Sequence, residues 1–240
     1  MAISNRGSAM RRSVMDGDPT QASPFDKESE HARKSHAILL TAARCFVETG
    51  FHTTSLQDIA DKLGISKPTL CYYVGSKEEI LFKCQHTGLE RLRLTIIAAR
   101  ESELMGMEEL SQIILHLAEW TGSEFARCLV RCQYDVREQV WQEKLVEERR
   151  LIDSIVQSVI SRGISDGSIR PVSPVMATAA ILGSLNWVAT WYDPERSKRS
   201  PYDIGVDFLE LFVKGLEPSA KAQPKQDKAS KAKAVRNRVA

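Results

Sequence analysis

Residues 50–82 read GFHTTSLQDIADKLGISKPTLCYYVGSKEEILF. Two short helical segments and the start of a long one follow from this stretch. Leu56, Ile59, Ala60 and Leu63 form an i, i+3, i+4, i+7 stripe, the period of a helix with one buried face. Thr54 or Ser55 is placed to cap its start, and Gly64 stops it. Ser66 caps the next segment, where Pro68 is tolerated in the first turn. Ser76 then caps a helix running from Lys77 to about residue 102, with Glu78 and Glu79 at its positive end. Two short helices joined by Gly64-Ile65-Ser66 have the layout of a helix-turn-helix. The first packs on a narrow stripe, the glycine allows the sharp turn, and the second buries one face and offers the other to a major groove. Leu70 and Val74 fall on the buried face, with Tyr73 at its margin. Lys67, Pro68, Cys71 and Tyr72 fall on the outer face, with Thr69 near its edge. Such groups can meet base edges, thymine methyls and phosphates.

Working outward, residues 34–49 carry Ile38, Leu39, Ala42, Ala43 and Phe46 at helical spacing and stop at Gly50. Downstream, five more helices are expected at about 107–121, 123–137, 141–166, 174–192 and 202–215. No stretch alternates as a strand or carries a hairpin signal. The chain is therefore expected to be all-α, with about nine helices. Residues 1–30 and 217–240 are poor in apolar side chains and read as disordered arms.

Charge is uneven along the chain. Residues 33–93 hold nine Lys/Arg against six Asp/Glu, residues 94–216 thirteen against eighteen, and residues 217–240 seven against two. Nucleic-acid affinity is thus favoured at the front and the tail over the middle. No apolar run reaches the roughly 18 residues of a membrane span, and Arg11 and Arg12 have no apolar stretch behind them to make a secretory signal. Five cysteines without a Cys-x-x-Cys fit free thiols in a reducing cytoplasm. Cys128 or Cys132 paired with a histidine would suit a thiol hydrolase, but none of the five histidines stands in a catalytic spacing, so no enzyme, metal or cofactor is expected.

Beyond the helix-turn-helix, Trp120, Phe125, Cys128, Leu129 and Cys132 are candidates to line an apolar cavity. Arg127 and Arg131 share a helix face; they meet a ligand carboxylate or phosphate, or else pair with Glu124 and Asp135. Trp187 and Trp191, four apart, make one aromatic ledge that serves as core or as ligand wall. Val175, Ala179, Leu182 and Gly183 form a small-residue face suited to close helix approach, or an ordinary core face; Ile204, Phe208, Leu211 and Phe212 form another stripe.

Residues 50–82 closely resemble the DNA-binding segment of the TetR family. The matching positions are Thr53, Thr54, Asp58, Ile59, Ala60, Gly64, Ser66, Lys67, Thr69, Leu70, Tyr72, Tyr73, Ser76, Lys77 and Glu78. Cys71 departs from the family's usual DNA-touching tyrosine, and Val74 from its common phenylalanine. The resemblance implies a DNA-binding domain over 31–80 and a ligand-binding and dimerisation domain over 81–216. It further implies that Thr54 and Ser66 cap their helices beside phosphates, and that Lys67 contacts phosphate or guanine. Pro68, Thr69 and Tyr72 would lie against bases, with Cys71 a small contact among them, and Tyr73 and Lys77 would hold phosphate. Helices 174–192 and 202–215 would pair across a two-fold axis, through Val175, Ala179, Leu182, Gly183, Phe208, Leu211 and Phe212. The segment from Ile181 to Pro194, with Gly163, Asp166, Gly167 and Ile169-Arg170-Pro171 upstream, is similar to TetR regulators of fatty-acid, steroid or aromatic-acid breakdown. The expectation is a homodimeric, cytoplasmic repressor of a palindromic double-stranded operator, released by a small molecule such as an acyl-CoA thioester. A drug-efflux regulator and a ligand-free regulator are the alternatives.

Overall fold

The computed structural model describes residues 24–99 and 104–216. Among these residues all regular structure is helical. The elements are α1 (Pro24–Thr49), α2 (Leu56–Leu63), α3 (Lys67–Val74), α4 (Lys77–Ala98), α5 (Gly106–Thr121), α6 (Glu124–Arg131), α7 (Gln139–Asp166), α8 (Pro174–Trp191) and α9 (Pro201–Leu216).

The first three helices form a compact triangle because each end is fixed locally. α1 buries Ile38, Ala42, Ala43 and Phe46 and stops at Gly50, whose φ of +88° is open to glycine at little cost. Ser55 caps α2 in a reciprocal box with Asp58: the Asp58 N–H donates to Ser55 Oγ at 3.1 Å, and the Ser55 N–H to Asp58 Oδ2 at 2.7 Å. Gly64 ends α2 in the left-handed region. Ser66 and Ser76 cap α3 and α4, as the sequence predicts.

α4 belongs to both halves of the molecule. It packs on α1 and also on α5, α6 and α7. In the C-terminal half α5 is central, touching α7, α8 and α9. Its first turn lies against the last turns of α7 so closely that a Cβ on Gly106 would stand 2.3 Å from the Gly163 Cα. The start of α5 is capped from outside its own helix: the Gly106 N–H donates to Asp166 Oδ2 at 2.8 Å, and the Met107 N–H to Ser168 Oγ at 3.0 Å. Ser168 and the Gly106 N–H hold the Asp166 carboxyl below its ordinary pKa. Glu109, buried on α5, pairs with Arg162 of α7.

Three expectations need correction. α1 begins at Pro24, so residues 24–30 are helical and the expected arm is shorter; residues 1–23 and the basic tail 217–240 lie outside the described residues. α4 ends at Ala98, before the expected residue 102, and residues 100–103 are likewise not described. α6 ends at Arg131, six residues before the expected 137. The buried Gln85 side chain of α4 donates to the Cys132 carbonyl at 2.6 Å, so a tertiary partner satisfies a carbonyl at the point where the helix stops.

Because the α5–α7 crossing has no room for a methyl group, Gly106→Ala is expected to destabilise the fold by about 1–3 kcal/mol through overpacking. Thermal denaturation checks it at about 2–4 °C per kcal/mol. Gly215→Ala, where a Cβ meets nothing within 4 Å, is the control.

Candidate nucleic-acid interface and interior cavity

α3 is anchored from below. Leu70 and Val74 are buried, while Ser66, Lys67, Pro68, Thr69 and Tyr72 are exposed, Tyr72 at 76%. Ser66 Oγ accepts from the Thr69 N–H at 3.2 Å and lies 2.7 Å from the Thr69 hydroxyl. The positive end of α3, with Lys67 in its first turn, is open to solvent, which suits it to a phosphate. Cys71 is half-buried against the core edge and Tyr73 is half-buried with its ring 4.9 Å from His31. These two lie at the margin of the outer face, not on it.

Two expected phosphate contacts are placed differently. Thr54 is 2% exposed and does not cap α2. Its hydroxyl is taken up inside the fold, donating to the Gly50 carbonyl at 2.8 Å and lying 2.8 Å from Thr49 Oγ1. Ser55, one residue later, is exposed and is the cap. The Lys77 ammonium is turned inward, donating to the Thr54 carbonyl at 2.7 Å and the His52 carbonyl at 3.2 Å, with the Phe51 ring 4.6 Å away. Lys77 therefore positions the loop between α1 and α2.

The C-terminal half contains a cavity of about 160 Å³ between α4, α5, α6, α7 and α8. Leu89, Leu92, Leu129, Val130, Ile152 and Leu182 form its apolar wall. Trp120, Gln133, Arg149, Asp153 and Asn186 give it polar atoms. Of the expected lining residues, Trp120 and Leu129 are among them and the others are not. Phe125 is core, with its ring 5.2 Å from the Arg91 guanidinium. Arg127 pairs with Glu124, as the alternative reading has it. Arg131 does not meet Asp135; it donates to the Val47 carbonyl at 3.3 Å and the Thr190 carbonyl at 2.6 Å, tying α1 to α8. Cys128 and Cys132 are buried, and hydrogen bonding with Cys128 and then burial push the Cys132 thiol far above its ordinary value. A thiol so held supplies no nucleophile.

Trp187 and Trp191 lie on the outside of α8, at 66% and 50% exposure. They share an uncovered apolar surface with Val175, Met176, Ala179 and Gly183, and Leu211 on α9 is 67% exposed. Phe208 and Phe212 are half-buried with stacked rings, and Leu182 turns inward to the cavity.

Arg149 and Asp153 are the residues that sequence reasoning missed. In the run Glu147-Glu148-Arg149-Arg150-Leu151-Ile152-Asp153 they look like members of an ordinary solvated helix face. Yet both border the cavity, half-exposed, and neither stands in an ion pair among the described residues. Burial lowers the Arg149 pKa and raises that of Asp153.

The site defines a helix-turn-helix DNA-binding regulator with a separate, cavity-bearing helical half. The family model for bacterial regulatory proteins of the tetR family matches residues 38–84, and that for the tetracyclin repressor-like C-terminal domain matches residues 104–216. The chain belongs to the TetR family. It is 24% identical to the HTH-type transcriptional repressor KstR2 of Mycolicibacterium smegmatis, over 81% of this chain and 96% of that protein. The crystal structure of the TetR family regulator PfmR from Thermus thermophilus superposes with a TM-score of 0.70 at 28% identity, covering 75% of this chain and 99% of that one. AibR in complex with isovaleryl coenzyme A and operator DNA superposes with a TM-score of 0.67 at 20% identity, covering 74% and 97%.

Tyr72→Ala is expected to weaken operator binding by about tenfold or more, for about 1–3 kcal/mol of lost contact, and to leave the melting temperature unchanged. Thr54→Val should do the reverse, lowering the melting temperature by removing the buried hydroxyl that ties the Gly50 carbonyl to Thr49. Fluorescence anisotropy beside thermal denaturation separates the two. Loss of Tm with Tyr72→Ala would place that ring in the core instead.

Proposed function

We propose that the chain is a homodimeric repressor that binds a palindromic operator through α3 and is released when a small molecule fills the α4–α8 cavity. The observation that carries this reading is that α4 runs from the helix-turn-helix to the cavity. Ile80 and Leu81 are buried in its first turns, Lys83 donates to the Val74 carbonyl at the end of α3, and Leu89 and Leu92 line the cavity further along. A ligand that alters the seat of Leu89 and Leu92 acts on the same rod that holds the end of α3. In a dimer, a small rotation of each α4 changes the separation of the two α3 helices, which must match half-sites about 34–36 Å apart. Ligand and operator then favour different arrangements and oppose each other's binding.

The uncovered α8–α9 surface supplies the dimer interface. Gly183 has open space around it in the single chain, and its neighbour one turn on is Trp187. A close helix crossing at Gly183, flanked by the tryptophans, buries some of the largest exposed apolar side chains of the molecule. Monomeric proteins rarely leave such a surface uncovered.

Relatives point to metabolite effectors. KstR2 of Mycobacterium tuberculosis is named a ketosteroid regulator, and AibR was solved with isovaleryl coenzyme A. The cavity's leucines and Ile152 suit the acyl chain or ring of such a metabolite.

Two variants test the reading. Leu182→Phe fills part of the cavity; operator binding should persist while effector no longer releases it, seen by anisotropy with and without ligand. Gly183→Arg is expected to give a folded monomer by light scattering, with operator affinity sharply reduced. A dimer that survives Gly183→Arg would overturn the α8–α9 interface.

A further inference from the structure

The cavity reading leaves the chemistry of the ligand open, and three unpaired groups in the wall decide it. Arg149 is a guanidinium that cannot lose its proton. No hydrogen-bond acceptor or carboxylate meets it among the described residues, and only the Tyr134 phenol favours its charge. Asp153, one turn along α7, is a carboxylate whose pKa is raised by burial alone, with no donor to offset it. The order Arg then Asp at i, i+4 is the less favourable one for a helix pair, and the short aspartate does not span the gap. The third group is the Trp120 indole N–H, in a residue 8% exposed and without a hydrogen-bond partner. The indole is the one buried unpaired group of the three, while Arg149 and Asp153 are half-exposed with no protein partner among the described residues, so the wall offers a ligand a cation, an acceptor and a donor.

The complement of these three can be read off. A guanidinium takes a carboxylate in two parallel hydrogen bonds. A carboxylate that accepts only needs a hydroxyl or N–H donor. The indole needs an acceptor, which the oxygen of either ligand group provides. The recess, open to solvent at Gln133 and Asn186, is about 160 Å³, and a void of about 150 Å³ takes a benzene ring. The part of the ligand held inside is therefore one ring or a short chain of similar bulk.

Resting on the effector-cavity reading, we propose that the ligand is a compact hydroxylated carboxylic acid of the size of a hydroxybenzoate, its carboxylate on Arg149 and its hydroxyl on Asp153. An uncharged acyl group that enters the recess alone leaves the guanidinium without a counter-ion, whereas a carboxylate supplies one.

The full-length protein is titrated with the three hydroxybenzoate isomers, 3- and 4-hydroxyphenylacetate, benzoate, methyl 4-hydroxybenzoate and isovaleryl coenzyme A. Binding is read by calorimetry and by the melting temperature, and operator release by anisotropy. At least one hydroxy-acid should bind, at least tenfold more tightly than benzoate or the methyl ester. Arg149→Gln should abolish the preference for acid over ester, and Asp153→Asn the preference for hydroxy-acid over benzoate. Both variants should melt at or above the wild-type temperature without ligand, since each removes a desolvated, unpaired charge; a lower value would mark a structural role and overturn the assignment. Silence of every hydroxy-acid, or an ester or thioester binding as well as the acid, overturns it too. If isovaleryl coenzyme A alone releases operator, the acid inference falls and the effector-cavity reading stands. If a hydroxy-acid binds with the two predicted preferences but leaves operator bound, the site stands and the effector reading falls.

Discussion

A helix transmits a push along its whole length, and α4 is the element that both holds the helix-turn-helix and lines the cavity. Its hydrogen-bonded backbone rises about 1.5 Å per residue, so Leu81 and Leu92 lie about 16 Å apart yet move as one body. On one side Cys84 donates to the Leu39 carbonyl of α1 at 3.3 Å. On the other, Gln85 holds the Cys132 carbonyl and Arg93 pairs with Glu148 of α7. The orientation of the helix-turn-helix relative to the cavity is therefore a property of how α4 is gripped.

The grip is concentrated on the connection between α6 and α7. Glu78 near the start of α4 accepts from the backbone N–H groups of Arg137 and Glu138 at 2.7 and 3.2 Å. His52, in the loop leading to α2, lies 3.0 Å from Asp135. Phe82 of α4 stacks on Trp141 of α7, rings 5.2 Å apart. Gln133 of the same connection lines the cavity. The stretch 132–138 thus touches the cavity, α4 and the loop below the recognition helix.

The parts legible in the sequence are those fixed by neighbours a few residues away. Ser66, Ser76, Gly50 and Gly64 act as read because caps and left-handed turns are local chemistry. Thr54 and Ser55 show the limit: both hydroxyls suit a cap, and only the packing of α1 decides which is swallowed by the core. Lys77 likewise reads as a free cation until the loop carbonyls of His52 and Thr54 close around it. The segment Gly163, Asp166, Gly167 and Ile169 carries a catabolic resemblance, but its role in the fold is mechanical. Asp166 caps α5, and a Cβ on Gly163 would strike Ile169 at 2.5 Å. Of the cavity wall only Trp120 and Leu129 are legible in the sequence, because five helices contribute to it and their contributors lie far apart in the chain.

α7 treats its charges in two ways. Toward its C-terminal end, Arg162 meets the buried Glu109 of α5, so the cost of desolvating each is offset by the other. Toward its middle, Arg149 and Asp153 are drawn partly out of water with neither a mutual pair nor an oppositely charged neighbour to meet them. The same helix faces the same bundle in both places, and the difference is the space beside it. Where α5 and α7 close to backbone contact at Gly106 and Gly163, the ions pair; where the helices part to leave a cavity, the ions wait. A fold selected for stability alone would fill that gap with apolar side chains. Keeping two unpaired charges there makes sense when a third body completes the packing.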